Sequence, residues 1–218
     1  MSSEFINGAK YKFSTIVGAA VAITAMSNAS PAVMSAGVVA PEGDVVILEM
    51  DNWTDLNDTG FLMGTGGAIA ELDTTNTAKY VPGAGTGTYA IASGFTSLDQ
   101  IRDITQSGGD TNSFNYQYID DASKRQRSKP TSKNPLIITF TMDYDPTRPW
   151  HNALVTLDGE QQLVVMQEKL PTGDTLVYTG FVSFQDSPTR TANENMEVVA
   201  TMSVNSRIVR YPAGFTGS

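Results

Sequence analysis

The fold is decided by the stretch Leu136-Ile-Ile-Thr-Phe-Thr-Met-Asp-Tyr144, in which large apolar side chains alternate with polar ones. Successive side chains of a β-strand point to opposite faces of a sheet, so the pattern predicts a strand with one buried face. The other face would carry Thr139, Thr141 and Asp143, as in an antiparallel sheet that covers a core on one side. The buried face would carry Leu136, Ile138, Phe140, Met142 and Tyr144.

Short apolar runs on both sides of this strand are punctuated by glycine, proline and Asp/Asn clusters, which is typical of an all-β protein. One helix is predicted, because the apolar residues between Trp150 and Leu157 recur at i, i+3, i+4 and i+7. Pro149 suits its first position and Gly159 suits its end. We therefore expect a mainly β protein, an antiparallel β-sandwich or half-barrel with one flanking α-helix. Further strands are predicted at residues 11–17, 21–26, 45–50, 61–63, 69–72, 80–81, 114–118, 162–168, 176–184 and 197–205.

Composition excludes several classes of function. The 218 residues include no cysteine and a single histidine, His151, which excludes disulfides, thiolate metal sites and His-rich metal sites. No nucleophile elbow accompanies His151, and the glycine-rich stretches 64–67 and 83–87 lack the Lys-Ser/Thr ending of a phosphate loop. The sequence thus predicts no catalytic, cofactor-binding or metal-binding residues, with a hydrolase built on His151 left open as an alternative.

The net charge of −9 is concentrated in one part of the chain. Residues 19–90 hold eight acidic residues and one basic residue, a balance of −7. Such a chain repels nucleic acid unless a local basic patch outweighs the average. The asymmetry predicts a core domain formed by residues 1–18 and 91–218 and a small inserted β-domain at 19–90, with the glycine-rich segment 82–87 as a hinge.

A polar segment at residues 120–134 has no apolar periodicity. We interpret it as an arm between two neighbouring strands, 111–120 and 135–144, that is disordered in the isolated subunit and ordered against an acidic neighbour. A mobile charged loop and a nucleic-acid site are the alternatives, but no aromatic platform for bases lies within the segment. The charged residues of the arm are Asp120, Asp121, Lys124, Arg125, Arg127, Lys129 and Lys133.

The N-terminal region offers two interpretations. An apolar run, Ile16–Met26, follows Lys10 and Lys12 and is similar to the hydrophobic region of an export signal. It is too short to span a bilayer, and its residues also suit two adjacent β-strands, which is the interpretation we favour.

Leu98-Asp-Gln-Ile-Arg-Asp-Ile-Thr105, Phe114–Asp121, the polar arm, Leu136–Tyr144, the helix and Val177-Tyr-Thr-Gly-Phe-Val-Ser183 follow one another along the chain. In this order they resemble the tail tube (major tail) protein of long-tailed, lambda-like bacteriophages. The resemblance covers about residues 1–18 and 90–212 and is carried by the order of elements.

The middle of the chain has a resemblance of its own. Ile23–Val33, Gly43-Asp-Val-Val, Trp53-Thr-Asp-Leu-Asn57 and Leu72-Asp-Thr-Thr-Asn76 resemble the small β-domain first described in ubiquitin-activating enzymes. That module recurs as an insertion in phage tail proteins, which agrees with the first resemblance.

The resemblance implies a structural virion protein that forms hexameric rings stacked into a tail tube. Its implied partners are other copies of the chain, the tape measure protein in the lumen, and the tail terminator and tail tip proteins. DNA would pass through without specific binding, no membrane would be involved, and assembly would take place in the host cytoplasm.

The resemblance also assigns surfaces. The arm would dock between rings, and the inserted domain would lie on the outside of the tube. The face of the sheet that carries Thr139, Thr141 and Asp143 would line the lumen, together with Asn115 and Gln117 on the adjacent strand. A secreted or surface-exposed β-domain that binds a carbohydrate or a protein remains the alternative.

Overall fold

The computed structural model describes residues 8–29, 32–64, 66, 68–69, 77–120, 123, 125–190 and 195–214. Within them, antiparallel β-strands make up most of the chain, joined by helix α1 (Pro149–Glu160) and a 3-10 turn at Thr54–Leu56. The prediction of a mainly β fold with one helix is confirmed. The strands are β1 (Lys10–Val17), β2 (Val21–Met26), β3 (Ala32–Ala36), β4 (Val45–Met50), β5 (Gly60–Leu62), β6 (Ala68–Ile69), β7 (Gly87–Leu98), β8 (Ile101–Gly108), β9 (Thr111–Tyr116), β10 (Arg127–Lys133), β11 (Leu136–Asp143), β12 (Leu163–Lys169), β13 (Thr175–Gln185), β14 (Glu197–Val204) and β15 (Val209–Tyr211).

Most of the strands join one sheet, in the order β6-β3-β2-β7-β1-β12-β13-β14-β11-β8. Strand β4 pairs with β7 and β5, and β15 pairs with the beginning of β13. Strands β9 and β10 pair only with each other among the described residues, and they form a separate two-stranded ribbon.

Strand β7 belongs to both parts of the sheet. Residues 87–92 pair with β4, and residues 92–98 pair with β1. The segment before β7 is packed, since Gly85 is buried against Trp53, and a Cβ atom at Gly87 would lie 2.2 Å from the carbonyl oxygen of Glu49. The exit from the inserted region is therefore a packed turn and differs from the predicted hinge.

Two hydrophobic clusters support the sheet. The first lies among β2–β5 and the first half of β7, with Trp53, Phe61 and Tyr89 at its centre. Apolar side chains from the later strands complete this cluster, which ties residues 19–90 to the remainder of the chain. These completing residues are Val165, Val177, Val209 and Tyr211.

The second cluster fills the space between β1, the strands β11–β14 and the helix. Helix α1 packs on β13 through Trp150, whose ring lies 6.5 Å from that of Phe184 in an edge-to-face contact. The helix ends at Glu160, one residue past Gly159, because Gln161 takes a left-handed conformation at φ 49° and donates its N–H to the Leu157 carbonyl. The predicted end at Gly159 is wrong by about one residue, within the usual fraying of helix ends.

The predicted pairing of strands 111–120 and 135–144 is wrong. Strand β11 pairs instead with β8 on one side and β14 on the other. Strands β8 and β9 run outward along one side of a long hairpin, and β10 and β11 return along the other side. At Gly108 the hairpin passes from the pair β8 and β11 to the ribbon of β9 and β10. There φ is +80°, and a Cβ atom would lie 2.1 Å from the carbonyl oxygen of Pro135.

Candidate assembly surfaces

A polar face covers the outer side of β8, β11, β14 and β13. Residue alternation turns Ile138, Phe140 and Met142 of β11 inward, where all three are buried. Side chains between them point away from the core, and the strand register aligns Thr139 with hydroxyl residues of the neighbouring strands and Thr141 with Asp103 and Val199. One row across the four strands consists of Thr105, Thr139, Thr201 and Ser183.

Charged side chains lie at one end of this polar face. A β-bulge in β8 inserts Arg102 between the residues that pair with Thr141 and Met142. The Arg102 guanidinium ion-pairs with Asp143 at 3.2 Å and also with the carboxylate of Glu197. Because the two acidic side chains share one cation, this end of the face keeps a small negative excess.

The predicted lumen residues fall into two separate groups. Thr139, Thr141 and Asp143 lie together on the polar face, as their alternation predicts. Asn115 pairs with Ser128 in the ribbon, and Gln117 lies in the turn beyond β9. Neither residue flanks β11, because the neighbours of β11 are β8 and β14.

The ribbon formed by β9 and β10 has two unlike faces. Phe114 pairs with Lys129 and Tyr116 pairs with Arg127, so aromatic and cationic side chains share one face. The rings of Phe114 and Tyr116 stack at 6.3 Å, and the Arg127 guanidinium lies 5.3 Å from the ring of Tyr118. We call this surface the aromatic–cationic face.

The ribbon is exposed almost throughout. Every residue of β10 is exposed, and the side chains of Phe114 and Tyr118 are 62% and 50% accessible. The ribbon buries neither of its faces and therefore has no stabilising core of its own. Its exposed aromatic residues indicate a surface that another molecule covers.

Part of the predicted arm is a strand. Residues 127–133 form β10, where a segment disordered in the isolated subunit was predicted. Their sequence shows no alternation because both faces of the ribbon meet solvent, and Pro130 is tolerated because both strands of a ribbon are edge strands. Asp120, Arg125, Arg127, Lys129 and Lys133 are all exposed. Asp121 and Lys124 lie outside the described residues.

A groove opens where residues 19–90 meet the later strands. Its volume is about 410 Å³, and its apolar lining comes from Ile47, Ala90 and Leu163. Two carboxylates, Glu49 and Asp58, stand at this groove. We call it the junction groove. No sequence pattern identifies it, because its lining residues come from distant parts of the chain.

Contacts from the core domain hold Asp58 in this position. The side-chain amide of Asn205 donates to Asp58 Oδ2 at 2.9 Å, and the Thr179 hydroxyl donates to the Asp58 backbone carbonyl. The residue itself has a positive φ of 56°, which Asp tolerates better than most residue types.

His151 lies in the first turn of helix α1, among the residues that the helix buries. Its ring contacts those of Tyr144 at 5.6 Å and Phe184 at 5.3 Å, and Nε2 lies 3.0 Å from a carboxylate oxygen of Asp186. Its side chain is 6% accessible. These contacts give His151 a packing role.

The described structure thus offers three surfaces for contact with other molecules. They are the polar face of the sheet, the exposed ribbon and the groove with two carboxylates, and they are typical of a structural β-protein. The family described as phage tail tube protein, TTP, matches residues 51–213, and the chain belongs to this family. It is a structural protein of the phage tail and a component of the virion. No curated protein matches the chain.

Several solved structures resemble the chain at low sequence identity. A virion of a native gene transfer agent particle matches with 7% identity and a TM-score of 0.41, over 54% of this chain and 88% of that chain. The tail of an empty gene transfer agent particle, refined with C6 symmetry, matches with 8% identity and a TM-score of 0.41, over 53% and 84%. The cap of an anti-feeding prophage tube matches with 16% identity and a TM-score of 0.32, over 50% and 79%. Among the described residues, no helix is long and apolar enough to cross a membrane.

Proposed function

We propose that this protein assembles as hexameric rings that stack into the tail tube of a long-tailed, lambda-like phage, and that DNA passes through the lumen of the tube. The observation that carries the proposal is the polar face of β8, β11, β14 and β13. A sheet that is apolar inside and carries a row of hydroxyl side chains across its outer face suits the wall of a water-filled channel.

The open edge of the same sheet supports lateral closure into a ring. Strand β8 pairs with β11, and within the described part of the chain no second strand pairs with it. An unpaired edge strand is a template for pairing with another chain. A closed ring of subunits satisfies every such edge, whereas a free subunit leaves it open to aggregation.

The charge of the face agrees with a conduit that does not bind its cargo. Asp103, Asp143 and Glu197 outnumber Arg102 on this surface. Such a wall would repel DNA phosphates weakly and would offer them no row of cations to bind. Before ejection the same lumen would hold the tape measure protein.

The remaining surfaces have roles outside the lumen. We assign the inserted β-domain at residues 19–90, the module that resembles the one in ubiquitin-activating enzymes, to the exterior of the tube. The ribbon would make the contact between stacked rings, and the last rings would meet the tail terminator and tail tip proteins. Assembly would take place in the host cytoplasm.

Electron microscopy of the purified protein tests this proposal. Rings or tubes with an open centre are the expected result, and the symmetry of end-on views reports the number of subunits. Monodisperse particles of subunit size under all assembly conditions would contradict it and would favour a surface-exposed β-domain that binds a carbohydrate or a protein.

A further inference from the structure

The aromatic–cationic face of the ribbon combines two kinds of recognition group on one exposed surface. Phe114, Tyr116 and Tyr118 offer flat apolar rings, and Lys129 and Arg127 offer positive charge beside them. A surface that binds this face needs an apolar floor for a ring and carboxylates for the cations. Both requirements can be checked against the rest of the molecule.

The junction groove meets both requirements. Ile47 and Leu163 provide an apolar floor, and Glu49 and Asp58 provide two carboxylates at the same opening. A second groove, at the base of the ribbon, fits less well. It includes Lys133 and Arg207, which would repel a cationic partner.

The two carboxylates of the groove also interact with each other. Partial burial raises the pKa of Glu49 above its ordinary value, and the charge and hydrogen bond of Asp58 raise that pKa further. A cationic side chain placed beside Glu49 would favour its charged form.

We propose that the junction groove of one subunit receives the aromatic–cationic face of the ribbon of a second copy of this chain. In this contact an aromatic ring of the ribbon lies on Ile47 and Leu163, and Arg127 or Lys129 lies beside Glu49 and Asp58. The inference rests on the proposed tube, because it names the acceptor of the ribbon within that assembly.

The contact would join two different surfaces of the same molecule. The ribbon extends from the β8–β11 hairpin, whereas the groove lies where β4, β7 and β12 meet. A contact between unlike surfaces repeats from copy to copy, and it gives a ring or an unlimited stack according to the rotation between copies. Such a contact suits the growth of a tube by addition of identical subunits.

Charge reversal and its rescue test the pairing. Glu49→Lys and Arg127→Glu should each lower the yield of tubes by about tenfold or more, since each places like charges together. The combined variant should recover most of that yield, because the reversed charges attract again. Glu42→Lys is the matched control: it makes the same charge change at an exposed turn of the inserted domain, away from the groove. Circular dichroism and thermal melting establish that each variant is folded.

Crosslinking gives a second measurement that does not depend on loss of assembly. The chain has no cysteine, so Asn112→Cys on the ribbon and Gln162→Cys on the groove introduce the only thiols. Asn112 lies two residues before Phe114 and so shares its face of the ribbon. A short thiol-to-thiol crosslinker applied to tubes of this double variant should give a ladder of covalent multimers. Tubes of the control pair, Asn112→Cys with Glu42→Cys, should give none.

The outcomes separate this inference from the proposed function. If the unmodified protein forms no rings or tubes, the proposed function fails. If it forms tubes and deletion of the ribbon abolishes them, while Glu49→Lys assembles like the control, the function stands and the groove is not the acceptor. Absence of a ladder from intact tubes of the double cysteine variant would overturn the inference in the same way.

Discussion

The hydroxyl row on the polar face contains Thr139, whose partners across the sheet are Thr105 and Thr201. We expect Thr139→Lys to leave assembly intact, because the residue points away from the core. Lysines repeated around each ring would bind phosphates and slow DNA ejection by about threefold or more. The rate of DNA release from purified phage measures this effect.

Thr156→Lys on the exposed side of the helix is the matched control, and it should not change the ejection rate. If both variants eject DNA at the normal rate while the tubes are intact, Thr139 does not line the lumen. Asp143 is a less direct probe, since replacing it with lysine also breaks the ion pair with Arg102.

A second residue-scale prediction concerns the half-buried carboxyl group of Glu168. The Tyr11 hydroxyl donates a hydrogen bond to Glu168 Oε1 at 2.9 Å, and burial raises the pKa of Glu168 while this bond opposes the rise. Tyr11→Phe keeps the ring that packs on Phe140 and removes the donor. We expect a loss of about 1 kcal/mol in the free energy of unfolding at neutral pH.

The loss should depend on pH in a defined direction. Because the pKa of Glu168 is raised on folding, the folded protein binds a proton more tightly than the unfolded chain, and stability falls as the pH rises through the folded value. Tyr11→Phe removes an interaction that favours the charged form. Its cost should therefore shrink in acid, where Glu168 is protonated. Urea unfolding at neutral and mildly acidic pH would measure the two costs, and equal values would contradict the prediction.

At the scale of elements, the ribbon contributes surface and no core. Deleting residues 111–133 and joining residue 110 to Asn134 should leave a folded subunit, since no residue of β9 or β10 belongs to either hydrophobic cluster. The shortened hairpin keeps its pairing between Gly108 and Leu136. We expect thermal melting close to that of the full chain and no tubes in sedimentation or microscopy.

The opposite result would be equally informative. Normal tubes from the shortened chain would show that the ribbon makes no contact needed for stacking. Insoluble protein would show that the ribbon supports the fold, against its exposure.

The elements that could be predicted from the sequence are those that cover a core on one side. Strand β11 is evident because burial of one face enforces alternation, and α1 is evident for the same reason at helical spacing. Strand β10 could not be predicted, because Arg127–Lys133 is exposed on both faces and no selection for apolar residues marks it. Strand β7 has no simple alternation, since the adjacent residues Ile91 and Ala92 both contact the first cluster and Leu98 belongs to the second.

The same reasoning explains which parts of the assembly surfaces were found. Thr139, Thr141 and Asp143 were predicted to share a face because they lie on the best-patterned strand. The partners Thr105 and Thr201 depend on strand pairing, which alternation within one strand does not reveal. The alternation of Val198–Val204 is the signal that could have placed Thr201 on that face.

At the scale of the whole molecule, residues 19–90 and the later strands pack into one hydrophobic cluster. The Tyr211 hydroxyl accepts a hydrogen bond from the backbone N–H of Leu62 at 2.8 Å, and Val177 and Val209 complete the first hydrophobic cluster. Removing residues 19–90 exposes these apolar residues to water. We therefore expect the excised chain to be insoluble or unfolded, measured by expression, sedimentation and circular dichroism.

A soluble, folded product that forms thinner tubes would instead show that the insert is an independent module on the outside. An excision that also replaces Val177 and Val209 with threonine separates the two effects. It should recover solubility if exposed apolar surface alone causes the failure.

The shared strand β7 has a mechanical consequence. In the proposed tube, a force that pulls residues 19–90 away from the strands assigned to the lumen would travel along the unbroken backbone of β7, flanked by hydrogen bonds to β4 at one end and to β1 at the other. Such a force loads these ladders in shear, so that many bonds must fail together, whereas peeling would break them singly. The shared strand would in this way resist bending of the tail.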